Sequence, residues 1–425
     1  RRGDHNGLAI EPRGMARDTA SGNASSSASD SSTEHPQAKG IPHACRQRRR
    51  SGRANGGKRM AKSGPRVGID IEQLSIAGAQ IGGSRQGRSL TNAAVRALPP
   101  GLMFEGEVVD VDGLAAELKS FWKASGFGGK RFHLGLANQK LVVRTLDLPP
   151  MDEKELHVAS EFQEQEAIPI PLADAILDYQ VVGRGVNSDG LETQKVLIVA
   201  AQKGMVKPFI EAAKKAGLAV DGIDLQAFAL MRAMAPPATF LDEGVQPGSE
   251  ATALVNIGTA TTNLVVAMSD SPSFTRVVNV GCESSVDTLA QNRGINRDEA
   301  DALRLTVGLS GPDVPYADLD PTTIGEIRQT LDAACEPLAD EIRRSIDYYH
   351  SQGDQRRIGL VLLGGEGALT RNMCDFLARA LRIPVALGNP MQHVAENKSK
   401  IPQAELEAIS PRLAIALGLA LDTEE

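Results

Sequence analysis

The chain has 425 residues, of which 41% are hydrophobic, 23% charged and only 4% aromatic, so it can form two or more domains with aliphatic cores. No apolar run approaches the roughly 20 residues of a membrane-spanning helix, and the four cysteines form no C-x-x-C pair. The composition therefore argues against an integral membrane protein, a disulfide framework and a zinc site, and favours a reducing cytosol.

Charge is unevenly distributed along the chain. Residues 1–66 carry 14 Lys and Arg against 5 Asp and Glu, a net of +9, which leaves 32 against 48, a net of −16, for the remainder. An acidic body argues against nucleic acid as the main partner.

The first 65 residues are predicted to be a disordered basic, Ser- and Gly-rich segment, because SGNASSSASDSSTEHPQ offers almost nothing to bury. A basic tail can bind anionic lipid or nucleic acid. The alternative that we favour is that translation starts at Met60, just before the first predicted strand.

From Val67 the chain alternates strand and helix patterns. The first half has a predicted hairpin, several further strands and four helices. In chain order these are VGIDI with IAGAQI, LTNAAVRAL, helix VDGLAAELKSFWKASGF, FHLGLA, LVVRTLDL, helix MDEKELHVASEFQEQEA, ILDYQVVG, KVLIVAAQ, helix KGMVKPFIEAAKKAGL, AVDGID and helix LQAFALMRAM.

A connector, MAPPATFLDEGVQPGSE, separates this half from the second. The second half again opens with a predicted hairpin. Its elements are ALVNIGTATTNLVVAM, strand SFTRVVNV, helices over SSVDTLAQNRG and NRDEADALRLTVGL, a long helix from TIGEIRQ to YYHSQ, the strand–glycine turn–helix RIGLVLLGGEGALTRNMCDFLARAL, and PRLAIALGLALD.

The two hairpins resemble each other, and aligning Asp70 with Asn256 places Glu72 over Gly258. A repeated strand–turn–strand at the head of two α/β halves predicts two related lobes that hold a nucleotide between their turns. Glycine lets backbone N–H groups approach phosphate, hydroxyls add donors, and a carboxylate holds Mg²⁺. The second hairpin supplies Gly258, Thr259, Thr261 and Thr262, although an ordinary β-hairpin would explain either stretch equally well.

Two further features belong to the same pattern. The glycines of VLLGGEGAL let the backbone pass close to a flat ligand such as a base and ribose, or serve only a tight turn. In DEADALRL, Asp301 and Arg304 are three residues apart on one helix face. The order of hairpin, hairpin, charged helix and glycine turn favours a nucleotide cleft.

The stretches VRTLDLPPMDEKELHVASEFQEQEAIPIPLADAILDYQVV, ALVNIGTATTNLVV and GLVLLGGEGALTRNMCDFLARAL carry a resemblance over about residues 66–422. The chain resembles the PilM family of type IV pilus assembly proteins, relatives of the cell-division protein FtsA. The resemblance implies a two-lobed actin-like (ribonuclease H-like) α/β ATPase fold with a small inserted FtsA/PilM-type subdomain.

The same resemblance implies domain bounds. These are 66–131 for the first part of lobe 1, 132–222 for the inserted subdomain, 223–250 for the return to lobe 1 and the connector, 251–395 for lobe 2, and 396–425 for a C-terminal helix packing on lobe 1.

By position, the resemblance implies an ATP–Mg²⁺ site. Asp70 lies near the metal, Asp301 and Arg304 contact the adenosine sugar, and no catalytic residue is assigned. The second phosphate hairpin comprises Asn256, Gly258, Thr259, Thr261 and Thr262, and the adenosine cradle comprises Gly364, Gly365, Gly367 and Ala368.

The chain departs from the family pattern at the phosphate end. Where the family usually has Asp-Ile-Gly-Ser-Ser and a lysine seven residues after the aspartate, this chain has Glu72 at the glycine and Ala77 at the lysine. Asn256 replaces the second aspartate. A carboxylate beside triphosphate and a lost ammonium each cost about 1–3 kcal/mol, so we predict weak ATP binding and little or no hydrolysis.

The resemblance implies an assembly scaffold that binds the cytoplasmic N-terminal peptide of a PilN-like inner-membrane protein. This would place it in the cytoplasm, peripheral to the inner face of the membrane and its pilus platform, with homo-oligomers left open. The alternatives are an FtsA-like division filament and a small-molecule kinase. The altered stretch 70–77 argues against the kinase, and the short acidic end LALDTEE, unlike a basic amphipathic anchor, argues against the filament.

Overall fold

The computed structural model describes residues 65–83, 87–151, 170–186, 190–236, 250–268, 271–312, 319–352 and 356–421. The predicted disordered segment, the predicted helix of 151–167 beyond Met151 and most of the predicted connector lie outside these residues. The described residues all belong to one unit, Ile41–Glu425.

The described strands follow the predicted alternation. They are β1 (Arg66–Ile71), β2 (Ser75–Gly82), β3 (Ser89–Ala97), β4 (Met103–Phe104), β5 (Glu107–Val108), β6 (Arg131–Leu136), β7 (Val142–Leu148), β8 (Ala175–Val186), β9 (Glu192–Gln202), β10 (Ala219–Leu225), β11 (Ala251–Ile257), β12 (Thr262–Met268), β13 (Ser271–Val278), β14 (Ile358–Gly364), β15 (Val385–Leu387) and β16 (Glu396–Asn397).

The described α-helices lie between these strands and after them. They are α1 (Val111–Ser125), α2 (Lys203–Lys215), α3 (Gln226–Met234), α4 (Glu283–Arg293), α5 (Arg297–Thr306), α6 (Pro321–Ser351), α7 (Met373–Leu381), α8 (Gln403–Ile409) and α9 (Ala414–Ala420).

Lobe 1 is built on a six-stranded sheet in the order β10-β6-β1-β2-β3-β16. Strands β1 and β2 form the first predicted hairpin, with Asp70 opposite Ala77. Helix α1 begins where the Asp110 side chain accepts hydrogen bonds from the N–H groups of Asp112 and Gly113. Because the apolar faces of α1 and α2 share one core with β1 and β6, while α9 packs on β1 and β2, the sheet is covered on both faces and its central strands read as continuous apolar runs.

Lobe 2 repeats this plan on a five-stranded sheet in the order β13-β12-β11-β14-β15. Its opening hairpin pairs β11 with β12, and β14 lies parallel to β11, with Asn256 opposite Gly364. The long helix α6 buries Ile327, Leu331 and Leu338 against this sheet. The carboxyl ends of β11 and β14 therefore bring the second hairpin and the glycine turn together.

The inserted subdomain is a three-stranded antiparallel sheet in the order β7-β9-β8. The predicted bounds of 132–222 are wider than this sheet on both sides, and they stay a prediction. They include nearly all of β6, which pairs with β1 in the centre of lobe 1, and half of β10, which pairs with β6. Helix α2 also belongs to the core of lobe 1. The sheet of the insertion spans only Val142–Gln202.

The helices α3 and α9 cross between the lobes at very close range. A Cβ at Gly418 would overlap the backbone carbonyl of Ala229, so only glycine permits the approach. The Arg232 Nε also donates to the Gly418 carbonyl at 2.8 Å. The contact between α3 and α9 is therefore tightly packed and lies between the two lobes.

Among the residues described, the helices are all too short or too polar to cross a bilayer.

Candidate functional site

The turns of the two hairpins meet across the cleft between the lobes. The N–H of Thr259 in the second turn donates to the Glu72 Oε2 in the first at 2.7 Å, and the Asn256 side chain also hydrogen-bonds the Glu72 carboxyl. The neighbouring Leu74 N–H donates to Thr259 Oγ1 at 3.4 Å. The internal repeat thus correctly predicted that these two turns lie at one place.

The donors of the second hairpin are largely in use within the protein. Gly258 N–H donates to the Thr261 carbonyl at 2.9 Å, and Thr262 Oγ1 donates to the Val280 carbonyl at 2.6 Å. A Cβ at Gly258 would overlap the Glu72 carboxylate. Glu72 therefore fills the space that Gly258 leaves. Position 72 is itself one at which the family usually has glycine.

Asp70 lies at the end of β1 and is buried. Its Oδ1 accepts a hydrogen bond of 2.6 Å from Gln226 Nε2, and Gln226 Oε1 accepts one of 2.7 Å from Asn263 Nδ2 on β12. This chain of three side chains is a second polar connection between the lobes, made through α3.

Both acidic groups of the first turn have raised pKa values. Burial raises the pKa of Asp70 well above its usual range, and the charge of Glu72 raises it further. Removal of the Glu72 carboxyl from solvent raises its pKa as well, although hydrogen bonds from Thr259 and Asn256 act in the opposite direction. Burial thus favours the neutral carboxyl at both positions.

Arg304 is completely buried and committed to protein partners. It donates through Nε to Asp301 Oδ1 at 2.8 Å and through Nη1 to Thr370 Oγ1 at 2.6 Å. It also forms an ion pair of 3.0 Å with Glu366. Glu366 forms a second ion pair, of 2.6 Å, with Arg412. The residue predicted to contact the adenosine sugar therefore ties α5 to the glycine turn, while Asp301 stays partly exposed beside it.

The glycine turn packs directly on the second hairpin. Gly365 has φ +86°, and a Cβ there would overlap the Ile257 carbonyl; a Cβ at Gly367 would overlap the Ile257 side chain. Gly364 and Ala368 are also buried in this packing. The glycines are thus needed for the approach of two backbone segments, and whether they also hold an adenosine stays a prediction.

The residues present fit Mg-ATP poorly at its phosphate end. A phosphate at the second turn would meet the Glu72 carboxyl and compete with it for the Thr259 N–H. Asp70, predicted to lie near Mg²⁺, already accepts from Gln226 and has a raised pKa, whereas a metal ligand is ionised. Among the described residues, no group of three His, Cys, Asp or Glu is placed to hold a metal ion.

Sequence reasoning missed Gln226, Asn263, Glu366 and Arg412. The sequence could have indicated two of these residues as candidates, since Gln226 directly follows a buried strand end and Glu366 is the acidic residue inside the glycine turn. Arg412 had none, because it reaches Glu366 from a distant part of the chain.

A second concave feature lies between the inserted subdomain and lobe 1. This groove has a cavity volume of about 70 Å³, below the roughly 300–1,000 Å³ of pockets that enclose a small ligand, so it can receive a side chain of a surface-bound partner but does not enclose a whole ligand. Its walls are mainly apolar and come from β8, β9, β10 and α3; they include Ile176, Tyr179, Leu197, Val199, Ile223 and Phe228. Two of the described residues that line it are acidic, Asp178 and Asp224.

Two lobes on similar sheets, each opened by a hairpin whose turn faces the other, define an actin-like protein with an inserted subdomain. A family model described as "Type IV pilus assembly protein PilM" matches residues 68–424. The chain therefore belongs to the PilM family of type IV pilus assembly proteins.

Two further similarities agree with this assignment. The cell division protein FtsA of Borreliella burgdorferi is 24% identical over 293 residues, 65% of this chain, and the match spans only 63% of the FtsA length. The solved structure of a "PilM-PilN type IV pilus biogenesis complex" has a TM-score of 0.69 and 23% identity, over 84% of this chain and 97% of that one. The predicted fold is thereby confirmed.

Proposed function

We propose that this protein is a type IV pilus assembly scaffold whose working surface is the groove between lobe 1 and the inserted subdomain. Its ligand is the short N-terminal peptide of a PilN-like inner-membrane protein, which would hold the scaffold at the inner face of the membrane. The family assignment and the similarity to a solved PilM-PilN complex support such a partner.

The groove itself carries the proposal. Its walls are apolar and in part accessible, as at Ile176, Val199 and Ile223. Burial of one Leu- or Ile-sized peptide side chain against these walls contributes up to about 1.5–3 kcal/mol. Asp224 at the wall is already ion-paired with Arg232, so the apolar side chains of the walls carry the expected affinity.

ATP binding in this proposal is weak, and turnover is absent or minimal. The Glu72 carboxyl at Thr259 and the hydrogen-bonded Asp70 support this view, because phosphoryl transfer depends on a placed metal and free phosphate donors. These same features argue against the small-molecule kinase.

The peptide test uses a synthetic N-terminal peptide of a PilN-like protein from the same organism. Val199→Asp places a carboxylate in the apolar groove and should weaken binding at least tenfold, about 1.4 kcal/mol, in fluorescence anisotropy. Val186→Asp is the matched control, since Val186 is 65% exposed and outside the groove; it should bind normally. Equal binding by all three proteins, or no binding by the unmodified chain, would contradict the proposal.

A further inference from the structure

The first turn reaches across the cleft with three successive residues. Glu72 accepts from Thr259 N–H, Gln73 Nε2 donates to Glu283 Oε2 at 3.3 Å, and Leu74 N–H donates to Thr259 Oγ1. In a nucleotide-binding cleft, backbone donors such as the Thr259 N–H face an anion. Here that donor faces a carboxyl group of the same chain.

The residues around this carboxyl match it chemically. Asn256 can donate a hydrogen bond to Glu72, whereas an aspartate at the same position would repel it. Gly258 leaves the room in which the carboxyl fits, because any side chain there would overlap it. Compared with the usual family pattern, the first hairpin has Glu72 in place of glycine, and the second has Asn256 in place of aspartate. Both differences favour the contact between Glu72 and the second hairpin.

We propose that the Glu72 carboxyl is an internal ligand of the second hairpin, which joins the two lobes without nucleotide and excludes nucleotide phosphate from the cleft. The inference rests on the proposed function only in taking the cleft to be non-catalytic. It does not depend on the peptide partner.

The contact has the properties that such a role requires. Its hydrogen bond from Thr259 is short, at 2.7 Å, and connects residues 187 positions apart in the chain. It lies beside the Asp70–Gln226–Asn263 connection, so that the first strand of lobe 1 is joined to lobe 2 at two neighbouring points.

The test compares thermal unfolding of the full chain with that of Glu72→Gly and Glu72→Gln, in buffer alone and with pyrophosphate or ADP, each with and without Mg²⁺. Glu72→Gly should unfold at a lower temperature in buffer, recover with either anion, and bind ADP at least tenfold more tightly than the unmodified chain. Glu72→Gln keeps an acceptor for Thr259 N–H and should respond little. Gln73→Gly, which frees the same turn but keeps the carboxyl, is the matched control and should gain no response.

Stabilisation of the unmodified chain by pyrophosphate or ADP to the same extent as Glu72→Gly would overturn the inference. So would an unchanged unfolding temperature of Glu72→Gly together with no anion response. If Glu72→Gly does not fold, hydrogen exchange of the unmodified chain decides: the Thr259 amide should be protected without nucleotide, and exchange at the rate of an exposed loop would refute the contact. Peptide binding measured on the same proteins reports separately on the proposed function.

Discussion

Two acidic groups two residues apart, Asp70 and Glu72, end the first strand of lobe 1, and both have raised pKa values because they are buried. A carboxyl whose folded pKa lies above its unfolded value contributes its full stability below the unfolded pKa. That contribution is lost as the pH rises through the folded pKa. Ionisation of these groups therefore lowers the stability of the fold as the pH rises, while the hydrogen bonds that both carboxyls accept still stabilise it.

Asp70→Asn should raise the unfolding temperature at pH 7 to 8, and the gain should shrink towards pH 4, because asparagine keeps the acceptor for Gln226 but cannot ionise. Asp221→Asn is a control for which we expect the opposite change in unfolding temperature. An ion pair with Arg131 lowers the pKa of Asp221, so its loss should destabilise at pH 7 and have no effect at low pH. A pH-independent effect of Asp70→Asn would contradict the assignment of a raised pKa.

Sequence alone predicted that Glu72 is unfavourable beside phosphate, but not what the side chain contacts. Its partner Thr259 is distant in the chain, and only the closure of both lobes brings it within hydrogen-bond range. The same limit applied to Arg304. Its spacing to Asp301 was visible in the helix, whereas its burial under Thr370 and Glu366 depends on the glycine turn of another element.

At the scale of elements, most strands and helices were predictable, because apolar residues follow the strand or helix period and glycines end the helices. Gly126 in the left-handed conformation ends α1, as its position predicted. The predicted bounds of the inserted subdomain take in strands of the lobe 1 sheet, because β6 and β10 are as apolar as β9. Which sheet an apolar strand joins depends on pairing partners that a local pattern does not encode.

The contact between α3 and α9 gives a test at this scale. Gly418→Ala forces a methyl group onto the Ala229 carbonyl and should lower the free energy of unfolding by about 1–3 kcal/mol, measured by urea titration. Gly325→Ala, at a position of α6 with open space around it, should instead raise the free energy of unfolding by up to about 1 kcal/mol. Two equal effects would show that α3 and α9 are not in this close contact.

At the scale of the whole molecule, the groove and the cleft are separate sites. The described residues that line the groove all precede the connector, so lobe 2 contributes none of them. The cleft, in contrast, needs both lobes, since Glu72 and Thr259 come from different sheets. In the proposed function a peptide would therefore contact only the first half of the chain, whereas the cleft needs both lobes.

Peptide affinity should therefore be the same within about twofold with or without Mg-ATP, and in Glu72→Gly as in the unmodified chain. Titration of the labelled peptide under each condition measures this directly. Val199→Asp, which acts in the groove, is the positive control for a loss. A large change in affinity on adding nucleotide would show that the two sites are coupled.

The packing of α9 on β1 has a consequence for biosynthesis. A Cβ at Gly68 would overlap the carbonyl of Ala416, and Ile415, Ala416 and Leu417 are fully buried, so an early strand is covered by a late helix. While the ribosome is still making lobe 2, one face of the lobe 1 sheet has no cover and is open to non-native association. A nascent chain of this protein therefore exposes a chaperone-accessible apolar surface until residues 414–420 have emerged.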